Sequence, residues 1–401
     1  MTRRQLFGSL CAMVFLVNMA RLVFAPLVQP AAEEFGVAAA SLGVVTSAAW
    51  LGSAAPRLPT GFLLTRAPRH RVILATGALL VGTASFTALA GSVAYLTVGA
   101  FLMGLSSGMY FIAANPLVSE LFPDKVGTAI GIHGLSSQLA AVGIPLAVSA
   151  VLFAGGWRTI FLLIAATAAA ATLALYGAAR RTDLPAAGTE DRSLVAAGRA
   201  QWPTILTGIA FVGGAGFLWN GMFNLYGDYL EVAKGIDPGT GRLLLSLTFA
   251  AGLPAFVVTG RLADRLPNVP LLLAITGGFA LTVFGLTVAE GLAAIAVASV
   301  GMGYAIHSLF PAVDTYLLAS LPDRHRASAY ALFSATAIGV QAFGSGVVGT
   351  AVAGTLEYTT VFQLLAGGVA AVVLGLWALY RGGRLPAGGR PGEVPAAEGA
   401  D

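Results

Sequence analysis

The chain has 401 residues, of which 57% are hydrophobic and only 10% charged. A soluble domain carries about 25% charged residues, so the composition excludes a soluble enzyme. The net charge of +4 does not mark a nucleic-acid binder, because Lys and Arg fall in short segments between apolar runs rather than on one basic face.

A bilayer core of ~30 Å is crossed by about 20 apolar residues in helix. Apolar runs of that order occur at 6–29, 39–64, 72–90, 93–119, 126–154, 158–179, 203–230, 243–263, 269–289, 291–319, 327–354 and 358–380. They are continuous rather than alternating, which predicts twelve transmembrane helices and not barrel strands. The first run is longer than a signal h-region of ~7–15 residues and is read as a membrane helix. Cys11 lies inside it as the single cysteine, so an intrachain disulfide and a Cys-based metal site are excluded. The expected organisation is an N-terminal six-helix bundle at 1–180, a cytoplasmic linker at 181–202, a C-terminal six-helix bundle at 203–380 and a disordered cytoplasmic tail at 381–401. With the N-terminus inside, seventeen of the 22 Lys and Arg lie in inner segments and three in outer loops, while Arg21 and Arg57 fall within runs. That asymmetry predicts a multi-pass plasma-membrane protein with both termini cytoplasmic.

Gly61-Phe62-Leu63-Leu64-Thr65-Arg66-Ala67-Pro68 returns 199 residues later as Gly260-Arg261-Leu262-Ala263-Asp264-Arg265-Leu266-Pro267. The same shift carries Pro123-Asp124-Lys125 onto Pro322-Asp323-Arg324. Two matches at one offset predict a duplicated unit. In a membrane protein, a two-half duplication is a signature of secondary transporters.

An ionisable group at mid-bilayer costs ~2.5–3.5 kcal/mol, so each one needs a partner or a wet cavity. Asn18 and Arg21 are three apart and share a helix face. Asn220, Asn224 and Asp228 form one stripe beside Trp219 and Tyr226. Tyr304, His307 and Asp314 share a face, as do Ser107, Phe111, Asn115 and Ser119. For Asn18 and Ser107 the alternative is a bond to a neighbouring helix. Under the 199-residue shift, Arg21 corresponds to Asn220 and Asn115 to Asp314. At 1.5 Å per residue, Arg57 and Asp314 stand at similar depths, which predicts a gating or coupling pair. Asp314 is the expected proton carrier, with His307 a second candidate. Arg21 suits an anionic group, because a guanidinium fork binds two oxygens.

The repeated loop resembles the signature of the major facilitator superfamily: a Gly, three residues, Asp-Arg and a basic cluster between the second and third helices of each half. The copy at Gly260 through Asp264-Arg265 fits; the first has Thr65 in place of the acid and Pro68 in place of a Gly, with Arg69-His70-Arg71 intact. Gly156-Trp157-Arg158 with Phe161, and Glu120-Leu121-Phe122-Pro123, also look like this superfamily. The likeness covers about residues 6–380. It implies an all-α membrane protein whose twelve helices form two pseudo-symmetric six-helix bundles, rocking about a site near the midplane to move a small solute by alternating access.

In the superfamily the first, fourth, seventh and tenth helices line the cavity. The substrate-binding candidates are therefore Asn18, Arg21, Asn115, Trp219, Asn220, Asn224, Tyr304 and His307. The loop acts there as a charge clasp, which makes Gly61, Gly260, Asp264 and Arg265 gating candidates beside Arg57 and Asp314. Asp264 is expected to be held ionised near the start of a following helix, or near Arg265 and Arg261. The drug-antiporter signatures are reduced to Gly104 and to Gly143-Ile144-Pro145, and a nitrate-porter second arginine would fall on Phe256.

The expected substrate is an organic or inorganic anion, with protons as the coupling ion by symport or antiport. The alternative is efflux of hydrophobic compounds, given aromatics such as Tyr110, Phe111, Phe217, Trp219, Phe223 and Tyr226. A non-transporting receptor or sensor on the same fold is the reading from another class. An enzyme is not expected: the four His are dispersed and HExxH does not occur. No cofactor or metal is expected, the partners are a small-molecule solute, protons and the lipid bilayer without nucleic acid, and the chain is expected to act as a monomer.

Overall fold

The computed structural model describes residues 2–37, 42–184, 193–344, 347–348, 351–352 and 356–386. Among the described residues the chain is helical and contains no strand, and each of the twelve apolar runs carries helix. Nine helices are long and apolar enough to cross a membrane among these residues.

Among the described residues, the first two runs of each half are each divided into two helices. The first gives α1 (Thr2–Leu22) and α2 (Phe24–Phe35), and the second gives α3 (Gly43–Ala54) and α4 (Arg57–Leu64). Then follow α5 (Arg69–Ala88), α6 (Val93–Leu121), α7 (Val126–Ala154) and α8 (Thr159–Ala179). In the second half, α9 (Leu194–Asn224) is followed by α10 (Tyr226–Lys234), and α11 (Pro238–Ala250) by α12 (Gly252–Ala263). The rest are α13 (Asn268–Val288), α14 (Gly291–Ser320), α15 (Arg326–Ala342) and α16 (Tyr358–Arg381). Proline lacks the N–H that closes a helical turn and crowds the carbonyl four residues back. Pro26, Pro56 and Pro254 stand at three of these breaks. These four breaks fall in the first two runs of each half, and a further one, at Phe343, falls in the eleventh run.

Helix α9 starts at Leu194, inside the stretch read as linker, with Ser193 Oγ accepting from the Ala196 N–H at 3.1 Å. Residues 185–192 of that linker and 387–401 of the predicted tail lie outside the described residues.

The chain forms two compact units. Unit 1 comprises Met1–Leu121, Ile132–Ala197 and Asp323–Leu332; unit 2 comprises Phe122–Gly131, Gly198–Pro322 and Phe333–Asp401. The division is not a single cut at the linker, since unit 1 takes the first turns of α15 and unit 2 the first turns of α7.

One close helix crossing occurs in both units at the 199-residue shift. In unit 1 a Cβ on Gly104 would lie 2.3 Å from the Ala49 carbonyl; in unit 2 a Cβ on Gly303 would lie 2.0 Å from the Thr248 carbonyl. Helices α3 and α6, and α11 and α14, therefore touch backbone to backbone, which only glycine permits. Gly303→Ala must push α11 off α14, and overpacking of this kind costs about 1–3 kcal/mol. The expected result is a lower thermal midpoint in detergent, matched by Gly104→Ala; unchanged midpoints would exclude the crossing.

A second tie in unit 1 joins α2 to the turns before α6 and α8. Arg158 Nη1 donates to Glu34 Oε1 at 2.5 Å, Trp157 Nε1 to Glu34 Oε2 at 2.5 Å, and Arg158 Nη2 to the Ala90 carbonyl at 2.5 Å. The Arg158 hydrogen bond, outweighing burial, holds the Glu34 carboxyl below its ordinary value. Its contribution to stability is thus present above the unfolded carboxylate pKa and lost as pH falls through the folded one.

Candidate functional site

In unit 1 the structure brings Asn18 and Arg21 together, as their three-residue spacing on α1 dictates. Arg21 Nη2 donates to Asn18 Oδ1 at 2.6 Å, while Asn18 Nδ2 donates to the Ser137 carbonyl at 2.7 Å. Asn18 therefore bonds a neighbouring helix and orients the arginine at once. The Trp50 indole covers the guanidinium, whose carbon lies 4.4 Å from the ring centroid. Arg21 Nε is buried without a hydrogen-bond partner, and Arg21 forms no ion pair among the described residues. A half-buried guanidinium with an unsatisfied N–H is a charged donor available to an anion. Arg57 is also buried in unit 1 and donates from Nε to the Ser53 carbonyl at 3.2 Å.

Asn115 is buried on α6 and donates to Tyr330 Oη at 2.7 Å. One turn on, Glu120 pairs with Arg69 at 2.6 Å, both almost fully buried, and Arg326 approaches the same oxygen at 3.7 Å. Gly61 packs α4 against α15, its absent Cβ leaving room for Ala331. The sequence places Arg69 in the basic cluster Arg69-His70-Arg71 and does not point to Glu120 as its partner. The signal was available: Glu120 is an acid at the end of an apolar run that otherwise lacks charge.

In unit 2, Asp264 ends α12 and caps the start of α7. Its carboxylate accepts from the Gly127 N–H at 2.6 Å, the Thr128 N–H at 2.8 Å and the Thr128 hydroxyl. The partner is a helix start, that of α7 rather than of the helix that follows, and Arg261 and Arg265 are both exposed. Gly260 lets the two helices approach, since a Cβ there would lie 2.5 Å from the Gly127 carbonyl.

His307 is buried on α14, and its Nδ1 lies 2.7 Å from the Gly303 carbonyl. A carbonyl only accepts, so Nδ1 carries the hydrogen. Ring centroids of Phe249, Trp219, Phe256 and Phe310 lie 5.7, 5.8, 6.3 and 6.5 Å from the imidazole. Phe223 stacks on Trp219 at 5.7 Å. Asn220, Tyr304 and Asp314 are partly exposed positions on α9 and α14; the Asn224 side chain lies outside what the structure describes. Two aromatics expected at a cavity are instead buried. Tyr110 donates to the Leu10 carbonyl at 2.6 Å, and Tyr226 shares a hydrogen bond with Ser299 at 2.5 Å. Among the described residues no cluster of three metal-ligating side chains occurs.

Known proteins agree with this architecture. The chain is 26% identical over 286 residues to a probable sulfoacetate transporter of Cupriavidus necator, covering 66% of each chain. It is 34% identical over 155 residues to the putative uncharacterized transporter YgaY of Escherichia coli, covering 38% of each. The chain thus matches less than two thirds of the length of these relatives. Among solved structures, the proton:xylose symporter XylE superposes with a TM-score of 0.74 at 16% identity, over 94% of this chain and 95% of that one. The Escherichia coli fucose:proton symporter FucP gives 0.73 at 17%, over 93% and 98%. The family model described as Major Facilitator Superfamily matches residues 10–307 and 216–399. Helical runs in two repeated halves, a glycine crossing repeated at the same shift and these matches lead to one conclusion: the chain belongs to the Major Facilitator Superfamily.

Proposed function

We propose that the chain carries a small organic anion across the cell membrane by alternating access, coupled to protons, with both termini cytoplasmic. The observation behind the anion is Arg21: a half-buried guanidinium, oriented by Asn18 and stacked on Trp50, with a buried, unsatisfied Nε and no acid paired to it among the described residues. A positive charge in an apolar bundle calls for a counter-charge, and a transported anion supplies one that leaves. Sulfoacetate, named for one relative, is a small organic anion. Proton coupling rests on the fold shared with two proton symporters and on Asp314, a carboxylate within a long apolar helix.

The test is uptake of labelled sulfoacetate, acetate and xylose by proteoliposomes, with a lumenal pH dye. Anion uptake with lumenal pH change is expected, and xylose uptake is not. Arg21→Gln removes a charged hydrogen-bonding partner, normally about 1.5–3 kcal/mol, and should weaken anion affinity roughly ten- to hundredfold. Unchanged affinity in that variant would overturn the anion reading.

A further inference from the structure

Two helices of unit 2 carry the same stripe of three residue types. On α9, Arg199, Trp202 and Leu206 follow at steps of three and four; on α16, counted back from its end, Arg381, Trp377 and Leu374 follow at steps of four and three. Each set shares one helix face, and all six side chains are exposed. The start of α9 and the end of α16 lie at one end of the unit. Tyr316 on α14 hydrogen-bonds the Thr207 side chain, shortly after Trp202, and donates to the carbonyl of Pro386, beyond α16, at 3.4 Å. Both stripes therefore run charge, indole, leucine from that end toward the middle of the bilayer, in steps of about 4.5–6 Å. Arg384 is held at the same corner. Gly383 takes a φ of 65°, and the Arg384 N–H returns to the Leu379 carbonyl at 3.0 Å, so the chain folds back on the last turn of α16. Arg199, Arg381 and Arg384 are exposed and form no ion pair among the described residues.

We propose that this corner of unit 2 binds an anionic phospholipid, with the arginines on its phosphate, Trp202 and Trp377 at the depth of its glycerol, and Leu206 and Leu374 against an acyl chain. A guanidinium matches phosphate because its fork reaches two oxygens. An indole settles at the membrane–water boundary, where one end of the ring is apolar and the other wet. A bias of basic residues toward one membrane face explains the charges but not an indole and a leucine in register behind each of them. A free anion would need the guanidiniums alone, and a lipid with a cationic headgroup would be repelled by three of them. Arg381 stands over the Trp377 ring at 5.6 Å, so one stripe already holds its charge and indole together. Unit 1 supplies the comparison. Its α8 carries one such stripe, Arg180, Tyr176 and Leu173, and an exposed acid, Asp183, follows the arginine by three residues.

The experiment titrates phosphatidylglycerol and phosphatidylcholine, each with brominated chains, into the purified full chain and reads tryptophan quenching. Phosphatidylglycerol should bind at least about tenfold more tightly, and added salt should reduce that preference. Arg199→Gln and Arg384→Gln should each weaken phosphatidylglycerol about fivefold, while Arg180→Gln on α8 leaves it unchanged. Trp202→Phe combined with Trp377→Phe should remove the quenching specific to phosphatidylglycerol. Equal affinity for the two lipids in the native chain, which needs no variant, would overturn the site. An equal loss in Arg180→Gln would also overturn it, because general surface charge would then suffice. Specific quenching that survives in the double tryptophan variant would put the lipid elsewhere and sink the proposal. Displacement of phosphatidylglycerol by inorganic phosphate would replace the lipid with a free anion and overturn it too.

Discussion

Glu120→Ala is expected to destabilise the protein by about 3–5 kcal/mol, because it strips the partner from a buried charge. Glu120 and Arg69 lie 2.6 Å apart with side chains only 5% and 2% exposed. Removing the carboxylate leaves the Arg69 guanidinium in a packed interior, and Arg326 loses its neighbour at 3.7 Å. The Glu34–Arg158 pair provides the internal control. Its distance is as short, 2.5 Å, but its side chains are 43% and 33% exposed. Solvent screens such a pair, and its charge interaction is worth about 0–1 kcal/mol. Thermal unfolding in detergent should therefore show a much larger drop for Glu120→Ala than for Glu34→Ala. Replacing Arg69 and Glu120 together with Met and Leu should recover most of the loss, since no bare charge then remains. Equal effects of the two single variants would mean that burial does not set the strength of these pairs.

The periodic parts of the molecule were legible in the sequence. A shift of 199 residues relates Ala49 and Gly104 to Thr248 and Gly303, and the same crossing appears in both units. The contact of Asn18 with Arg21 follows from helical spacing alone. Contacts between helices distant in sequence were not legible. Nothing local tells Arg21 that Trp50 will cover it, or Asn115 that Tyr330 will meet it. Aromatic residue type does not report direction either, so Tyr110 and Tyr226 looked like cavity rings yet point inward. Hydropathy runs pass through Pro26, Pro56 and Pro254 without a gap, since proline is not polar, and so the broken helices were read as continuous. The clasp shows the same limit. Thr65, the counterpart of Asp264, is buried and bonds the Phe62 carbonyl, while a different trio, Arg69, Glu120 and Arg326, occupies that end of unit 1. The two copies retain the loop but not the means of tying it down.

Asp264→Asn tests whether that loop is a switch. The native carboxylate accepts three hydrogen bonds from the first turn of α7, two from backbone N–H groups. A helix start carries unsatisfied N–H groups and the positive end of the helix dipole, so an anion there is doubly favoured. Asparagine keeps the shape but has one acceptor oxygen, and its amide nitrogen presents hydrogens to a donor. The expected loss is about 2–3 kcal/mol. Both sides of the cap lie in unit 2, whose part of α7 ends at Gly131. A cap made in only one transport state would bias the equilibrium by the same energy, roughly thirty- to a hundredfold. Spin-label distances between the ends of α4 and α12 should therefore shift in Asp264→Asn toward the population without the cap, and Asp264→Glu should shift less. A lower thermal midpoint with an unaltered distance distribution would leave Asp264 as a stabilising cap alone.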